Sequence, residues 1–181
     1  MSNRASPYAA PYLRCLEHLN LDGALDLVLG LQRGRMDVVA IVDEVLRPAQ
    51  VEVGLRWEAG EWSVAREHAA SAITAEVVAA LRADRPPTRA RTLVVCCPEG
   101  ELHDLGAAML VTVMRSRGWR VIELAQSTPA LELDELLRAV APVALAVSCA
   151  GASSLHAAWG LIALAHGVGV PVLAGGRGFG G

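Results

Sequence analysis

The sequence predicts an α/β protein in two parts, a helical bundle over residues 1–85 followed by a parallel-sheet domain over residues 86–181. Three observations predict it. From Pro11 to Ala83 the apolar residues recur at helical spacing, with no strand alternation. The stretch Asp84-Arg-Pro-Pro-Thr-Arg-Ala90 then combines two prolines with charge and has no apolar period, as a short exposed linker does. Beyond it, β-rich runs and helical stretches alternate four times.

In the first part, breaks at Asn20-Leu-Asp22 and at Gly34-Arg35 divide the chain into three or four helices. Asp22 is the expected N-cap of the second. The third is expected to start after Arg35, with Leu46, Val51 and Leu55 on its apolar stripe and Pro48 bending or splitting it. A further helix follows Gly60 and ends near Ala83, with Val64, Ala65, His68, Ala69, Ala72, Ile73, Val77 and Leu81 at i, i+3 and i+4 offsets.

In the second part the expected strands are Thr92–Cys97, Arg120–Leu124, Val143–Ser148 and Pro171–Ala174. The expected helices run from about His103 to Arg117, from Leu131 to Val140 and from Ser153 to His166. Such alternation builds a Rossmann-like (flavodoxin-like) parallel sheet covered on both faces. Open sheets of this kind bind ligands at the loops leaving the carboxyl ends of the strands. Those loops are residues 98–102, 125–129, 148–153 and 175–181.

Composition narrows the function. A net charge of −3 and the lack of any Lys/Arg-rich run argue against direct nucleic-acid binding. Cys15, Cys96, Cys97 and Cys149 form no C-x-x-C pair and read as reduced packing residues. The N-terminus has no apolar signal region and no later stretch is long enough to span a bilayer, so a cytoplasmic protein with no membrane contact is expected. There is no Walker loop, catalytic triad or nucleophile elbow, which points to a binding module instead of an independent enzyme.

The first strand-end loop reads Glu99-Gly100-Glu101-Leu102-His103-Asp104-Leu105-Gly106 and places an imidazole between carboxylates. A neutral imidazole ligates a metal through one ring nitrogen, and a carboxylate on the other fixes its tautomer and raises its basicity. Glu101 or Asp104 could be that acceptor. Taken alone, the loop also fits a solvated histidine at a helix N-terminus with acidic neighbours favouring the helix dipole.

The spacing of the later loops adds to this. The run E-L-H-D-L-G, then 41 residues, then Ser148-Cys149-Ala150, then 24 residues, then Gly175-Gly176 resembles the D-x-H-x-x-G, S-x-L and G-G signature of cobalamin-binding domains. The resemblance implies that His103 is the lower axial ligand of the corrin cobalt. It implies likewise that Glu101, Leu102, Asp104 and Gly106 belong to the ligand loop. Ser148, Ala150, Gly175 and Gly176 would line the slot for the displaced nucleotide tail. Glu101 stands where the family has aspartate, and Ala150 where it has leucine.

The helical part carries a second motif, Trp57, nine residues, then Glu67-His68. It resembles the W-x9-E-H motif of the CarH/LitR adenosylcobalamin photoreceptors, in which a helical bundle caps the upper face of the corrin. By that resemblance Trp57, Glu67 and His68 surround the adenosyl group, the indole packing on the nucleoside and Glu67 accepting from ribose hydroxyls. Those proteins begin with a MerR-type DNA-binding domain, and their sheet continues past the G-G loop into a last strand and helix. Neither has a counterpart in this sequence. Glu58 stands where some of them carry a further histidine.

What the resemblance implies is a light-responsive adenosylcobalamin sensor whose state is read by a second copy of the chain or by a separate regulatory protein. The alternative is a corrinoid carrier of a methyltransferase system, since such carriers share the helical cap and the histidine loop. A third reading is a degenerate domain acting only as an interaction module. The remaining tryptophans, Trp62, Trp119 and Trp159, are expected in cores or interfaces.

Overall fold

The structure is a computed structural model that describes residues 7–82, 87–88, 91–124 and 126–180. The chain divides into two compact units, Met1–Ala83 and Asp84–Gly181. The expected linker lies largely outside the described residues.

The first unit is helical throughout. Helix α1 spans Ala9–Glu17 and α2 spans Leu21–Arg33. The N-cap of α2 is Asn20, whose side chain accepts from the Gly23 amide. Asp22 instead sits inside the first turn, so the expected cap is displaced by two residues; either side chain suits an N-cap, and Asn20 is the one with non-helical backbone before the helix. Asp37 caps the next segment by accepting from the Val39 amide.

That segment runs on without interruption as α3 (Val38–Ile41), a π-helical turn (Val42–Leu46) and α4 (Arg47–Glu58). Pro48 is the cause. Proline has no amide to give to a carbonyl four residues back, and the chain widens just before it so that the Arg47 amide donates to Val42. Its buried stripe is Ile41, Val42, Val45, Leu46, Ala49 and Val53, and the expected stripe members Val51 and Leu55 are exposed. The extra residue in the π turn rotates the face away from a simple helical count.

Helix α5 covers Val64–Leu81, with Ser63 as its N-cap. It buries Ala70, Ile73, Thr74, Val77, Val78 and Leu81, whereas the expected Val64, Ala65, His68 and Ala72 are exposed. Trp62 is buried, and the guanidinium carbons of Arg56 and Arg66 lie 5.5 and 4.7 Å from its ring centre. Arg56 also pairs with Glu17 at 2.6 Å and Glu52 at 2.9 Å. That cluster joins α1, α4 and the start of α5.

The second unit is a four-stranded parallel sheet in the order β2-β1-β3-β4. Its elements are β1 (Thr92–Cys96), α6 (Leu105–Ser116), β2 (Arg120–Glu123), α7 (Ala130–Val140), β3 (Ala144–Ser148), α8 (Leu155–Gly167) and β4 (Val172–Gly175). Short 3-10 turns occupy Ala152–Ser154 and Arg177–Phe179. Helix α6 begins at Leu105, so His103 lies in the loop before it and not in its first turn. Strand alternation splits the core in two. Val94, Cys96, Leu145 and Val147 pack with Leu133, Leu137 and Leu161 of α7 and α8, while Leu93, Val95, Ala144 and Ala146 pack with Ala107 and Val111 of α6.

Coverage on both faces holds at the inner strands β1 and β3 and at the edge strand β2, and fails at the other edge, β4, where Leu173 is 59% exposed. Trp119 packs against the α6-side core. Trp159 lies outside the core: it is 57% exposed and meets Phe179 edge to face. Cys96, Cys97 and Cys149 are buried free thiols. Burial, reinforced by neighbouring thiol or carboxylate charge, pushes Cys96 and Cys97 up to about 12, so both stay protonated. Among the described residues no helix is long and apolar enough to cross a membrane.

Candidate functional site

The strand order dictates where the candidate residues of the sheet unit meet. β1 and β3 are neighbours, and so are β3 and β4, so their carboxyl-end loops lie side by side although dozens of residues separate them in sequence. Register closes the arrangement: Ser148, the last residue of β3, pairs with Gly175, the last of β4.

Glu101 is the junction of these loops. It is 1% exposed, and each carboxylate oxygen accepts two hydrogen bonds. Oε1 accepts from the His103 amide at 3.0 Å and from His103 Nδ1 at 2.7 Å. Oε2 accepts from the amides of Ala150 at 2.9 Å and Gly151 at 2.8 Å. Its carbonyl accepts from the Ser127 amide at 3.2 Å, which brings in the loop after β2. Burial works to raise the Glu101 carboxyl, and the bonds from Gly151, His103 and Ala150 outweigh it, holding the group below its ordinary value and ionised.

This settles which carboxylate orients the histidine. In the neutral imidazole an ionised Glu101 at Nδ1 favours the ring proton there, the tautomer whose Nε2 lone pair can ligate a metal. The His103 side chain is 76% exposed, so that nitrogen is open to an incoming ligand. Asp104 is the backbone N-cap of α6 and makes no capping bond with its side chain. Leu102 is exposed beside the histidine. Gly106, in the first turn of α6, lies against Ser148: a Cβ there would stand 3.5 Å from the Ser148 Oγ.

The two C-terminal glycines differ. Gly176 has φ +112°, and a Cβ would collide with the Cys149 backbone, so the fold itself requires glycine there. Gly175 has nothing within 4 Å of a Cβ position, so its missing side chain leaves open space at the strand end. The Cys149 amide donates to Gly175 at 2.9 Å and its carbonyl accepts from Gly178 at 3.0 Å, which ties the glycine-rich segment to the β3 loop.

In the helical unit, Trp57 lies in the last turn of α4 and is 44% exposed, while Glu67 and His68 lie in the first turns of α5. The two helices pack on each other. Glu67 Oε2 is 2.6 Å from His68 Nδ1 and Oε1 accepts from Ser71 at 2.7 Å. Sequence reasoning missed Ser71, Gln50 and Thr74, isolated polar residues inside apolar stripes. The Ala150 and Gly151 amides escaped it as well, since backbone donors carry no residue signal.

The donor set fits a corrin. Among the described residues no group of three or more His, Cys, Asp or Glu side chains could hold a metal ion. His103, held at Nδ1 by Glu101 at 2.7 Å, offers a single imidazole nitrogen, a donor of the kind that a macrocycle-bound metal takes.

Comparison with known proteins agrees. Residues 8–82 match a family model described as B12 binding domain, and residues 91–180 match a second model of the same description. The HTH-type transcriptional repressor CarH of Myxococcus xanthus is 36% identical over 100 residues, covering 55% of this chain and 33% of that protein. The repressor CarA of the same organism is 34% identical over 114 residues, covering 62% and 38%. The chain thus spans about a third of the length of the curated relatives it matches. The Methanosarcina barkeri monomethylamine corrinoid protein shares the fold, with TM-score 0.77 and 18% identity over 92% of this chain and 82% of that one. The chain belongs to the B12-binding domain proteins in both of its units, and is a cobalamin-binding protein resembling CarH.

Proposed function

We propose that the chain is an adenosylcobalamin-dependent light sensor, with His103 as the lower axial ligand of cobalt. The observation that carries the reading is the His103 imidazole, fixed at Nδ1 by a buried ionised carboxylate and open at Nε2. When bound, adenosylcobalamin supplies a cobalt–carbon bond that green light breaks. Glu101 holds the ligating tautomer, with Leu102, Asp104 and Gly106 shaping the loop around it. Ser148, Ala150, Gly175 and Gly176 line the slot for the nucleotide tail, where small residues and one hydroxyl admit a bulky base.

In the helical unit Trp57 would pack on the adenosyl group and Glu67 would accept from its ribose hydroxyls, with His68 beside them. Loss of the adenosyl group on illumination would deprive these three residues of that partner, and the helical unit would repack. A second copy of the chain or a separate regulatory protein reads the change. The W-x9-E-H residues favour this reading over a methyl-group carrier, because a methyl ligand gives an indole nothing to stack on and a carboxylate nothing to bond.

The test is the absorption spectrum of desalted, adenosylcobalamin-loaded protein in the dark and after green light, for the parent and for His103→Ala. The parent is expected to keep the cofactor and change irreversibly on illumination. His103→Ala is expected to lose affinity on the order of 10- to 100-fold and to lose the histidine-ligated spectrum. Failure of the parent to retain cobalamin overturns the proposal, and retention without photochemistry assigns the chain to the carrier class.

A further inference from the structure

A chain of polar side chains crosses the helical unit, and neither the cobalamin motifs nor core packing accounts for it. It starts at Tyr12 on α1, fully buried, whose hydroxyl donates to Thr74 Oγ1 on α5 at 3.0 Å. Gln50 on α4 donates through Nε2 to the same oxygen at 2.6 Å. With two donors on its oxygen, Thr74 directs its own proton to the Ala70 carbonyl at 3.3 Å. The other end of the Gln50 amide, Oε1, faces Ser71 Oγ at 3.2 Å, and Ser71 Oγ lies 2.7 Å from Glu67 Oε1.

The order of these contacts has a direction. Tyr12 is always a donor, since burial pushes its phenol above the ordinary value against the opposing bond to Thr74. Ser71 has one proton and two acceptors and shares it in a three-centre bond, the shorter, charge-assisted arm going to the Glu67 carboxylate and the longer to Gln50 Oε1, which holds the hydroxyl in place. Phenylalanine and valine would fill the sites of Tyr12 and Thr74 without a polar group to satisfy, so the core alone gives no reason for them. The chain ends at one charged acceptor, Glu67, whose other oxygen is held by His68. Both carboxylate oxygens are therefore fixed before any ligand arrives, the condition under which a binding group loses least entropy.

We propose that Ser71, backed by Gln50 and the Thr74–Tyr12 pair, is a positioning residue that aims the Glu67 carboxylate and thereby sets the preference for a corrinoid bearing a nucleoside over one bearing a methyl group. The inference rests on the reading of Glu67 as a nucleoside contact. It places the specificity of the helical unit in residues that touch no ligand.

The test uses the full chain in the dark and reads the ratio of dissociation constants for methylcobalamin and adenosylcobalamin, with thermal unfolding of each unloaded variant alongside. The parent is expected to prefer adenosylcobalamin. Ser71→Ala should cut the preference by about tenfold, the worth of one hydrogen bond to a charged group, while methylcobalamin binding stays within about twofold. Ser71→Thr keeps a hydroxyl and should keep the ratio. Gln50→Met breaks the chain one link further back and should lower the ratio by roughly threefold, the low end of one hydrogen bond's net worth, which gives a second reading should Ser71→Ala fold poorly. A ratio unmoved by Ser71→Ala and Gln50→Met, or an equal loss for both corrinoids, overturns the inference and leaves the reading of Glu67 standing. A parent with no adenosyl preference overturns both.

Discussion

The two units hold their candidate residues by opposite means. In the sheet unit, Glu101 collects amides from its own loop and from the β3 loop, so backbone geometry does the holding and one carboxylate joins it. In the helical unit, Glu67 is held by Ser71 and His68 and, through Gln50, by a line of side chains on three helices. Amides come with the fold, and only a change of backbone or of the shared carboxylate disturbs them. Side-chain lines are undone one residue at a time at little cost to the fold. The sheet unit should therefore respond to substitution by unfolding, and the helical unit by altered preference.

The largest expected effect is at the junction of β3 with the glycine-rich segment. Gly176→Val forces a branched side chain into φ +112° and against the Cys149 backbone. Strain of this kind and overpacking together cost roughly 4 kcal/mol. Urea unfolding followed by circular dichroism should show the sheet unit's transition at much lower denaturant. A loss under about 1 kcal/mol would show that the segment moves aside freely and that the comparison overstates its rigidity.

Glu101→Ala comes next. Four part-buried hydrogen bonds lose their buried acceptor, which costs on the order of 3 kcal/mol of sheet-unit stability. Glu101→Asp sharpens the point. A carboxylate one methylene shorter cannot span both loops, so it should recover one pair of bonds and fall between the parent and the alanine variant in the same denaturation series. Equal stability for Glu101→Ala and the parent would mean that the strands alone hold the loops.

The parts of this arrangement that the sequence reveals are those carried by local pattern. Four alternations of β-rich and helical segments disclose the parallel sheet and its loops, because period and turn chemistry are local. Glu101 and His103 stand out as polar residues at a strand end. What the sequence hides is long-range. That Glu101 reaches Ala150 and Gly151 follows from β1 lying beside β3, with α6, β2 and α7 intervening in the chain. The buried stripe of α4 is hidden for another reason: the π turn before Pro48 shifts the phase, so Val51 and Leu55 look apolar and inward while Ala49 and Val53 do the packing. Thr74 and Tyr12 are legible only as a pair, since each alone reads as an interruption.

The smallest effect on the fold separates what the structure requires from what the ligand requires. Gly175 adjoins Gly176, yet its Cβ position is open and its φ lies outside the left-handed region. Gly175→Ala should therefore leave stability within about 0.5 kcal/mol of the parent. If the space at the end of β4 takes the nucleotide tail, the added methyl group meets that tail and nothing else. Cobalamin affinity should then fall about tenfold, and the affinity for cobinamide, which lacks the tail, should not change. The pair of measurements needs no photochemistry and no knowledge of the upper ligand. A fall for both corrinoids would place Gly175 under the macrocycle itself, and a fall for neither would move the tail slot away from this strand end.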